Sequence, residues 1–588
     1  MTETRPDVVI LLTDQERATP SYESEELRAW RAVALPGRRW FDEHGVSFEC
    51  HYTGSLACVP SRPTMFTGQY PDVHGVTQTD GLGKDADDSA MRWLPIGEVP
   101  TLGDWFRAAG YDTHYQGKWH LSHADLLDAT TGRALATNDD EGVVDPVAVQ
   151  RYLDADPLDA YGFSGWIGPE PHGGSLANSG LRRDDLIADR VVAWLTDRYG
   201  RRRSGDPEAL KPFLVVASFV NPHDIVLFPG WVRTQPLGDA VHDTPSVPPP
   251  PTADEDLSTK PAAQAAYRAA YPSGYAPIGE GVYDEHAEEY RRMYYRLHGL
   301  VDQPLDRVRR VVTDGGSTEA VLVRSADHGD LLGAHGGLHQ KWFNLYDEAT
   351  RVPFVVARIG SHPTTQRVIR SAPTSHIDLV PTMLGAAGID VDAVGKQLAK
   401  RFSEFHPLPG RDLMPVAKGQ EAHDVDRCVY LLTRDNILEG DSGASVVARN
   451  FGLGENPPDN MRIKVPANVG ANFEAIVAGL DGTIWKLVRT FDDPDTWSEP
   501  GVRHLAADGP DGPEFRTAAL PDEWELYDLT NDPIEATNRA TDESIAPLRN
   551  ALVERLTAER QRCLPPRNSP WPYATRRLRK SAVQPLHL

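Results

Sequence analysis

An α/β sandwich, with helices on both faces of a mostly parallel sheet and a smaller C-terminal unit after it, is the fold this 588-residue sequence predicts. Three observations predict it. Unbroken apolar runs stand at Asp7–Leu12, Pro212–Phe219, Ala320–Val323 and Pro353–Ala357. Valine, isoleucine and leucine without polar alternation suit strands covered on both faces, as in a parallel sheet. Helical periodicity fills the intervals, at Asp184–Tyr199 and Asp284–Val312, and alternation of the two element types implies an α/β sandwich. Third, polar residues collect just past the strand ends, where open α/β sheets bind ligands.

Taken in order, the first run leads into Asp14-Gln15, the second into Asn221-Pro222-His223-Asp224, and the third into Asp327-His328. The stretch Pro229–Pro277, rich in proline and alanine, reads as a long surface excursion. Around Gly410–Pro415 the α/β pattern stops. Sparse strands follow at Cys428–Leu432, Thr483–Val488 and Glu525–Leu529, then a helix near Ser544–Arg560. The expected division is 1–430 for the large domain and 431–588 for a smaller α+β one. The tail Pro565–Leu588, with Arg576, Arg577, Arg579 and Lys580, reads as a strap over a neighbouring surface, which leaves a homo-oligomer open.

Composition narrows the function. Lysine plus arginine number 60 against 85 aspartate plus glutamate, for a net charge of −25. Such a field repels nucleic acid and anionic membrane, and counts against a polysulfated polymer as substrate. Four cysteines in so long a chain indicate a reducing compartment rather than a disulfide framework. The segment MTETRPDVVILLTD lacks the basic-then-apolar layout of a leader, and no stretch reaches the length of a membrane span. A soluble, cytoplasmic protein is expected.

The most specific signal is CVPSRPTMFTG at residues 58–68. Alone, Cys58 would be an ordinary buried thiol. It has company: GKWH at Gly117–His120, NPHD at Asn221–Asp224, and SADHGDLLGAHGGLHQKWFNLYDEATRVPFVV from Ser325 to Val356. Cys-x-Pro-Ser-Arg followed by Thr-Gly resembles the signature of the type I sulfatases. The Ser325–Val356 segment resembles their second signature, and WELYDLTNDPIEATNRA at Trp524–Ala540 resembles the strand and turn near their C-terminus.

The resemblance implies an alkaline-phosphatase-like sandwich with a large mixed, mostly parallel sheet, and a C-terminal domain around a four-stranded antiparallel sheet. It implies that a formylglycine-generating enzyme oxidises Cys58 to formylglycine, whose hydrate is the nucleophile. It assigns Asp14, Gln15, Asp327 and His328, with Cys58, to one divalent cation. Hard oxygen ligands suit calcium. Gln15 and His328 depart from the commonest pattern and leave room for manganese; they look more like choline sulfatases and phosphonate monoester hydrolases. Lys118 and His120 match the family's Lys-x-His pair, which phosphonate monoester hydrolases lack. Lys341 matches the second catalytic lysine, His223 the acid that protonates the leaving oxygen, and Arg62 the residue that holds formylglycine and its ligands in place. Asp347, Glu348 and Arg351 read as structural.

The expected function is hydrolysis of a small aryl or alkyl sulfate. A phosphonate monoester hydrolase or phosphodiesterase using the same residues is the alternative, and a non-catalytic metal-stabilised binding protein the remote one. The alcohol is chosen by loops in 125–180 and 225–290, where Trp166, His172 and Trp231 are candidates for an aromatic pocket.

Overall fold

Strands β1 (Asp7–Asp14), β2 (Gly45–Phe48), β3 (Asp112–Gly117), β4 (Phe213–Pro222), β5 (Ala320–Ala326), β6 (Phe354–Ile359) and β7 (Val368–Arg370) form one sheet in the order β3-β4-β1-β5-β6-β2-β7. The structure, a computed structural model, describes residues 5–571 except 89, 172–173, 235–243, 277, 423, 438–445, 451–462, 464–468, 495–502, 510–511 and 517. Strands β3, β4, β1 and β5 run parallel. Strand β6 is antiparallel to β5, β2 antiparallel to β6, and β7 parallel to β2. The sheet is therefore mixed and mostly parallel.

Strand β1 shows why its apolar run is unbroken. Val8, Ile10 and Leu12 enter one core with Leu214, Val216 and Val323, while Val9 and Leu11 enter another with Val215, Ala217 and Leu322. Each side chain is at most 1% exposed, so neither face tolerates a polar residue. At roughly 1.5–3 kcal/mol per buried aliphatic side chain, these five alone contribute on the order of 10 kcal/mol.

The helices that bear on the argument are α1 (Glu25–Ala34), α2 (Pro36–His44), α3 (Cys58–Thr67), α4 (Gly180–Arg203), α5 (Ala287–Thr313) and α6 (Ala546–Cys563). One face of the sheet is covered by α4 and α5 through Ile187, Val191, Leu195, Val301, Leu305 and Val308. The other receives α3 through Val59, Met65 and Phe66. The expected helix Asp284–Val312 is two helices, broken at His286 between Val282–Glu285 and α5.

The C-terminal strands β8 (Cys428–Thr433), β9 (Asn472–Leu480), β10 (Thr483–Phe491) and β11 (Glu523–Asp528) form a four-stranded antiparallel sheet in that order. Leu552, Leu556 and Cys563 of α6 pack on it. Buried Lys486 on β10 ties this sheet to the large one by pairing with Asp347 at 2.6 Å and Glu535 at 2.8 Å. The expected excursion 229–277 is more ordered than a loop where it is described, with a helix at Ala262–Ala270 that buries Tyr267; 235–243 and 277 lie outside the described residues. At the start of the tail, Arg567 straps back onto Glu98, Glu404 and the carbonyl of Val73. The basic cluster at 576–580 lies outside the described residues. No helix among the described residues is long and apolar enough to cross a membrane.

Candidate active site

Register places the site. Pairing of Thr13 with Ala326 and of Asp14 with Pro222 brings the carboxyl ends of β5, β1 and β4 side by side. Asp14, Asp327 and His223 therefore emerge at one edge, as the sequence leads one to expect. Gln15 takes a left-handed conformation, φ 68°, immediately after β1. A non-glycine residue held there marks a backbone constrained by its surroundings. The constraint is visible: the Gln15 N–H donates to Asp327 Oδ1 at 3.1 Å, its carbonyl accepts from Tyr294 at 2.7 Å, and its side chain donates to Asp330 at 2.5 Å.

Cys58 is the first residue of α3 and is 1% exposed. Its Sγ lies 3.0 Å from His328 Nε2, 3.3 Å from Lys341 Nζ and 3.9 Å from Asp14 Oδ1. One turn along, Arg62 spends its guanidinium on the site: Nε on Asp327 at 2.8 Å, Nη2 on Asp14 at 2.9 Å, Nη1 on the Lys118 carbonyl at 2.7 Å and Ser218 Oγ at 3.0 Å. A planar fork satisfied on every side fixes both carboxylates at once. Ser61 Oγ donates to the Asp327 carbonyl at 2.6 Å. The CVPSR run thus works as one helix turn, with the thiol facing the site and the serine and arginine clamping β5 and β1.

Ligand atoms of Asp14, Cys58, Asp327 and His328 all lie within 4.8 Å of one another. His328 Nε2 is 3.7 Å from an oxygen of each aspartate. Donors at such separations match the edges of a shell whose bonds are about 2.3–2.6 Å, so the set fits a divalent cation. His328 Nδ1 donates to the Gly329 carbonyl at 2.9 Å, which fixes the tautomer and leaves Nε2 as the free lone pair. Burial and then the Lys341 charge hold its pKa well below the ordinary value, so the ring is neutral, as a ligand must be.

The carboxylates differ. Burial works against the Asp14 charge, but Lys118, with His223 and Arg62 behind it, outweighs it and holds its pKa well down. Burial and then the Asp14 charge push Asp327 up to about 6. Burial, with Asp14 next, pushes the Cys58 thiol up to about 11. A thiol held protonated at neutral pH is a poor nucleophile as it stands.

Lys118 Nζ sits 2.7 Å from Asp14, and Lys341 Nζ donates to Gln15 Oε1 at 2.7 Å. Burial opposes the Lys118 charge, yet Asp14, Cys58 and Asp327 outweigh it and raise its pKa. Eight of the sequence-predicted residues thus meet: Asp14, Gln15, Cys58, Arg62, Lys118, Asp327, His328 and Lys341. His223, 7% exposed, opens the turn after β4 close enough for its charge to act on Asp14. His120 stands to one side, φ 55°, with Nε2 3.0 Å from Asp80. It lines a cavity of about 330 Å³ whose wall includes Trp93, His123, Asp125 and Glu170.

This cavity, rather than one lined by the expected aromatic set, borders His120, and none of the eight clustered residues lines it. Trp166 is fully buried against Tyr152 and donates to the Gly117 carbonyl at 2.8 Å, and Trp231 belongs to a separate core, because both rings are needed as packing. His172 lies outside the described residues. Asp347 and Glu348 are structural as read: Asp347 pairs with Lys486 and Arg351, and Glu348 with His335.

Residues that the sequence did not single out support this shell. Glu170 accepts from the backbone N–H groups of Trp119 and His120, each at 3.0 Å, and its own N–H donates to Asp125 at 2.6 Å. Asp80, Ser218 and Asp330 complete the hydrogen bonds of His120, Arg62 and Gln15. Only Asp330 carried a signal, as the last residue of SADHGD.

Known proteins resemble this chain in sequence and in fold. Among curated proteins, the uncharacterized sulfatase YidJ of Escherichia coli is 27% identical over 423 residues, 70% of this chain and 71% of that protein. The choline-sulfatase of Rhizobium meliloti is 26% identical over 412 residues, 67% of this chain and 70% of that protein. Among solved structures, the phosphonate monoester hydrolase of Agrobacterium radiobacter gives a TM-score of 0.55 at 19% identity, over 95% of this chain and 96% of that one. A 2-O GAG sulfatase gives 0.55 at 18%, over 95% and 93%. At such identities the structural likeness speaks for the fold alone. The Sulfatase family model matches residues 6–389, well over half of the chain, and with it the protein belongs to the sulfatase family, a family of sulfuric ester hydrolases.

Proposed function

We propose that the protein hydrolyses a small aryl or alkyl sulfate monoester, using formylglycine made from Cys58 and one divalent cation, calcium or manganese, held by Asp14, Gln15, Asp327 and His328. The observation that carries this reading is the position of Cys58 Sγ, inside the same 4.8 Å cluster as three candidate ligands and 3.3 Å from Lys341. When present, formylglycine and the cation supply a hydroxyl nucleophile of lowered pKa and neutralise charge on the sulfate. The chain's own residues do the rest. Lys118 and Lys341 bring two buried cations to the sulfuryl oxygens, preorganised by Asp14 and Gln15. Arg62 keeps both carboxylates in register. His223 delivers a proton to the departing oxygen, and imidazole can hold that proton near neutral pH. The cavity beside His120, about 330 Å³, suits a small alcohol.

Maturation requires a formylglycine-generating enzyme as a transient partner. The four cysteines are all free thiols, which supports a cytoplasmic location. The neutral Gln15 and His328 favour, as a second reading, a phosphonate monoester or phosphodiester substrate.

The test compares kcat/KM for nitrophenyl sulfate and nitrophenyl phenylphosphonate in protein co-expressed with a formylglycine-generating enzyme. Sulfate preference, abolished by Cys58→Ala, is expected. Phosphonate preference would overturn the sulfate assignment in favour of the second reading. Turnover of neither substrate by protein whose Cys58 is converted and whose metal is bound would make the chain a binding protein.

A further inference from the structure

A second cavity, of about 520 Å³, lies between α1, α2 and strands β2 and β6. Its wall carries seven arginines against three carboxylates, in a chain whose net charge is −25. Most of these arginines are paired. Arg31 meets Glu23 at 2.7 Å, Arg38 meets Glu16 at 3.4 Å and Asp42 at 3.8 Å, and Arg324 meets Glu16 at 2.5 Å. Arg351 meets Asp347 at 2.9 Å and Arg367 meets Glu49 at 3.6 Å.

Arg28 and Arg39 differ. Among the described residues their partners are backbone carbonyls, of Ser21 at 3.4 Å and Ala32 at 3.0 Å. Seven guanidinium groups thus gather around one space, and of these Arg28 and Arg39 are the two without a carboxylate partner among the described residues. Arg31 adds a second, independent sign. It is 6% exposed and lies over the Tyr295 ring, and while its Nε faces Glu23, both its Nη groups, like the Glu23 oxygens, are buried without a hydrogen-bond partner among the described residues. A buried guanidinium seldom leaves donors unused. Burial, then the charges of Arg31 and Arg324, bring the pKa of Arg38 down to about 10, which shows how closely the cations press on one another.

Guanidinium forks around a partly enclosed space, with the buried Nη donors of Arg31 unused, match a tetrahedral oxyanion. Phe48, Pro353 and Phe354 supply an apolar floor beside it, and the volume exceeds what one inorganic ion fills. We propose that this cavity is a binding site for a dianionic phosphate or sulfate group, free or carried on a small organic molecule, with Arg28, Arg31 and Arg39 as its recognition elements. The site is separate from the Cys58 cluster and shares no residue with it.

Isothermal titration calorimetry at constant ionic strength tests this, with chloride as the balancing anion and inorganic phosphate, glucose 6-phosphate and neutral glucose as probes. Wild-type protein is expected to bind phosphate in the cavity as well as in the active site. The double variant Arg28→Ala/Arg39→Ala is expected to lose one binding event, or weaken it by at least about tenfold, while sulfatase turnover stays unchanged. Both side chains are exposed, so the variant should fold, and a thermal melt verifies that it does. Tighter binding of glucose 6-phosphate than of phosphate would identify an organic ligand, and equal binding a free ion. Identical stoichiometry and affinity in wild type and variant would overturn the proposal, as would loss of all phosphate binding on replacing Lys118 and Lys341 alone.

Discussion

Glu170→Gln isolates the support beneath Lys118 and His120. One carboxylate oxygen of Glu170 accepts the Trp119 N–H at 3.0 Å; the other accepts the His120 N–H at 3.0 Å and the Trp119 N–H at 3.3 Å. Glutamine keeps the volume and offers one acceptor, so one of the two N–H groups loses its short bond and faces an NH₂ group. That costs about 1–3 kcal/mol. If the cost falls on the turn that presents Lys118, kcat/KM drops roughly 10- to 100-fold. Acidity gives a sharper signature. Burial, with Asp125 next, pushes Glu170 up to about 7, and protonation removes an acceptor much as glutamine does. Wild-type kcat/KM should therefore fall as pH drops through about 7, and the variant should lack that limb. Stability moves the other way. The folded pKa lies above its ordinary 4.5, so the folded state binds the extra proton and stability is lost as pH rises from 4.5 through 7, by roughly 3 kcal/mol. Steady-state kinetics on nitrophenyl sulfate from pH 5.5 to 9, in wild type and Glu170→Gln, is the assay (range chosen on either side of that pKa). Equal kcat/KM at pH 8 together with an unchanged acid limb would refute the reasoning.

Two further expectations follow from the same geometry. Removing divalent cations with a chelator should abolish turnover and lower Tm, because Asp14 and Asp327 are left buried side by side; re-adding calcium or manganese should restore both, and the better restorer identifies the metal. Stability should also depend on His335, which sits between Glu255 at 2.9 Å and Glu348 at 3.4 Å. Burial opposes its charge, but the two carboxylates outweigh it and raise its pKa from 6.5 to about 9. Its contribution, roughly 3 kcal/mol, is complete below pH 6.5 and lost as pH rises through 9. The Tm gap between wild type and His335→Gln should close over that range, and a gap that stays constant would count against a charged His335.

The sheet was legible where its physics is simple. Strands β1, β4, β5 and β6 each hold an unbroken apolar run because helices cover both faces, and all four were expected within a few residues. Strand β3, DTHYQG, was not, because it buries polar groups that find partners: His114 stacks on Trp194 at 4.7 Å, and Gln116 donates to the Gly165 carbonyl. Strand β2 has four residues, too few to show a period. Strand β9 was missed although a signal existed: Asp481-Gly482, φ 51° and 78°, is a two-residue turn that closes the hairpin β9–β10.

The site divides along a similar line. The candidate catalytic and ligand groups lie in contiguous motifs, so Cys58 and Arg62 announce each other, as do Asp327 and His328. The residues that aim them do not. Asp80 reaches His120 across 40 positions, Glu170 reaches it across 50, and Ser218 reaches Arg62 across 156. Each is an ordinary polar residue, Asp80 and Glu170 in loops and Ser218 within β4, and its role exists only once the backbone has folded around it. Burial pushes Glu170 up to about 7, but it pushes Asp104 and Asp302, away from the site, up to about 6 as well. Position singles Glu170 out: its carboxylate holds the N–H groups of Trp119 and His120, so its protonation should reach the turn that presents Lys118 and alter the pH dependence of turnover.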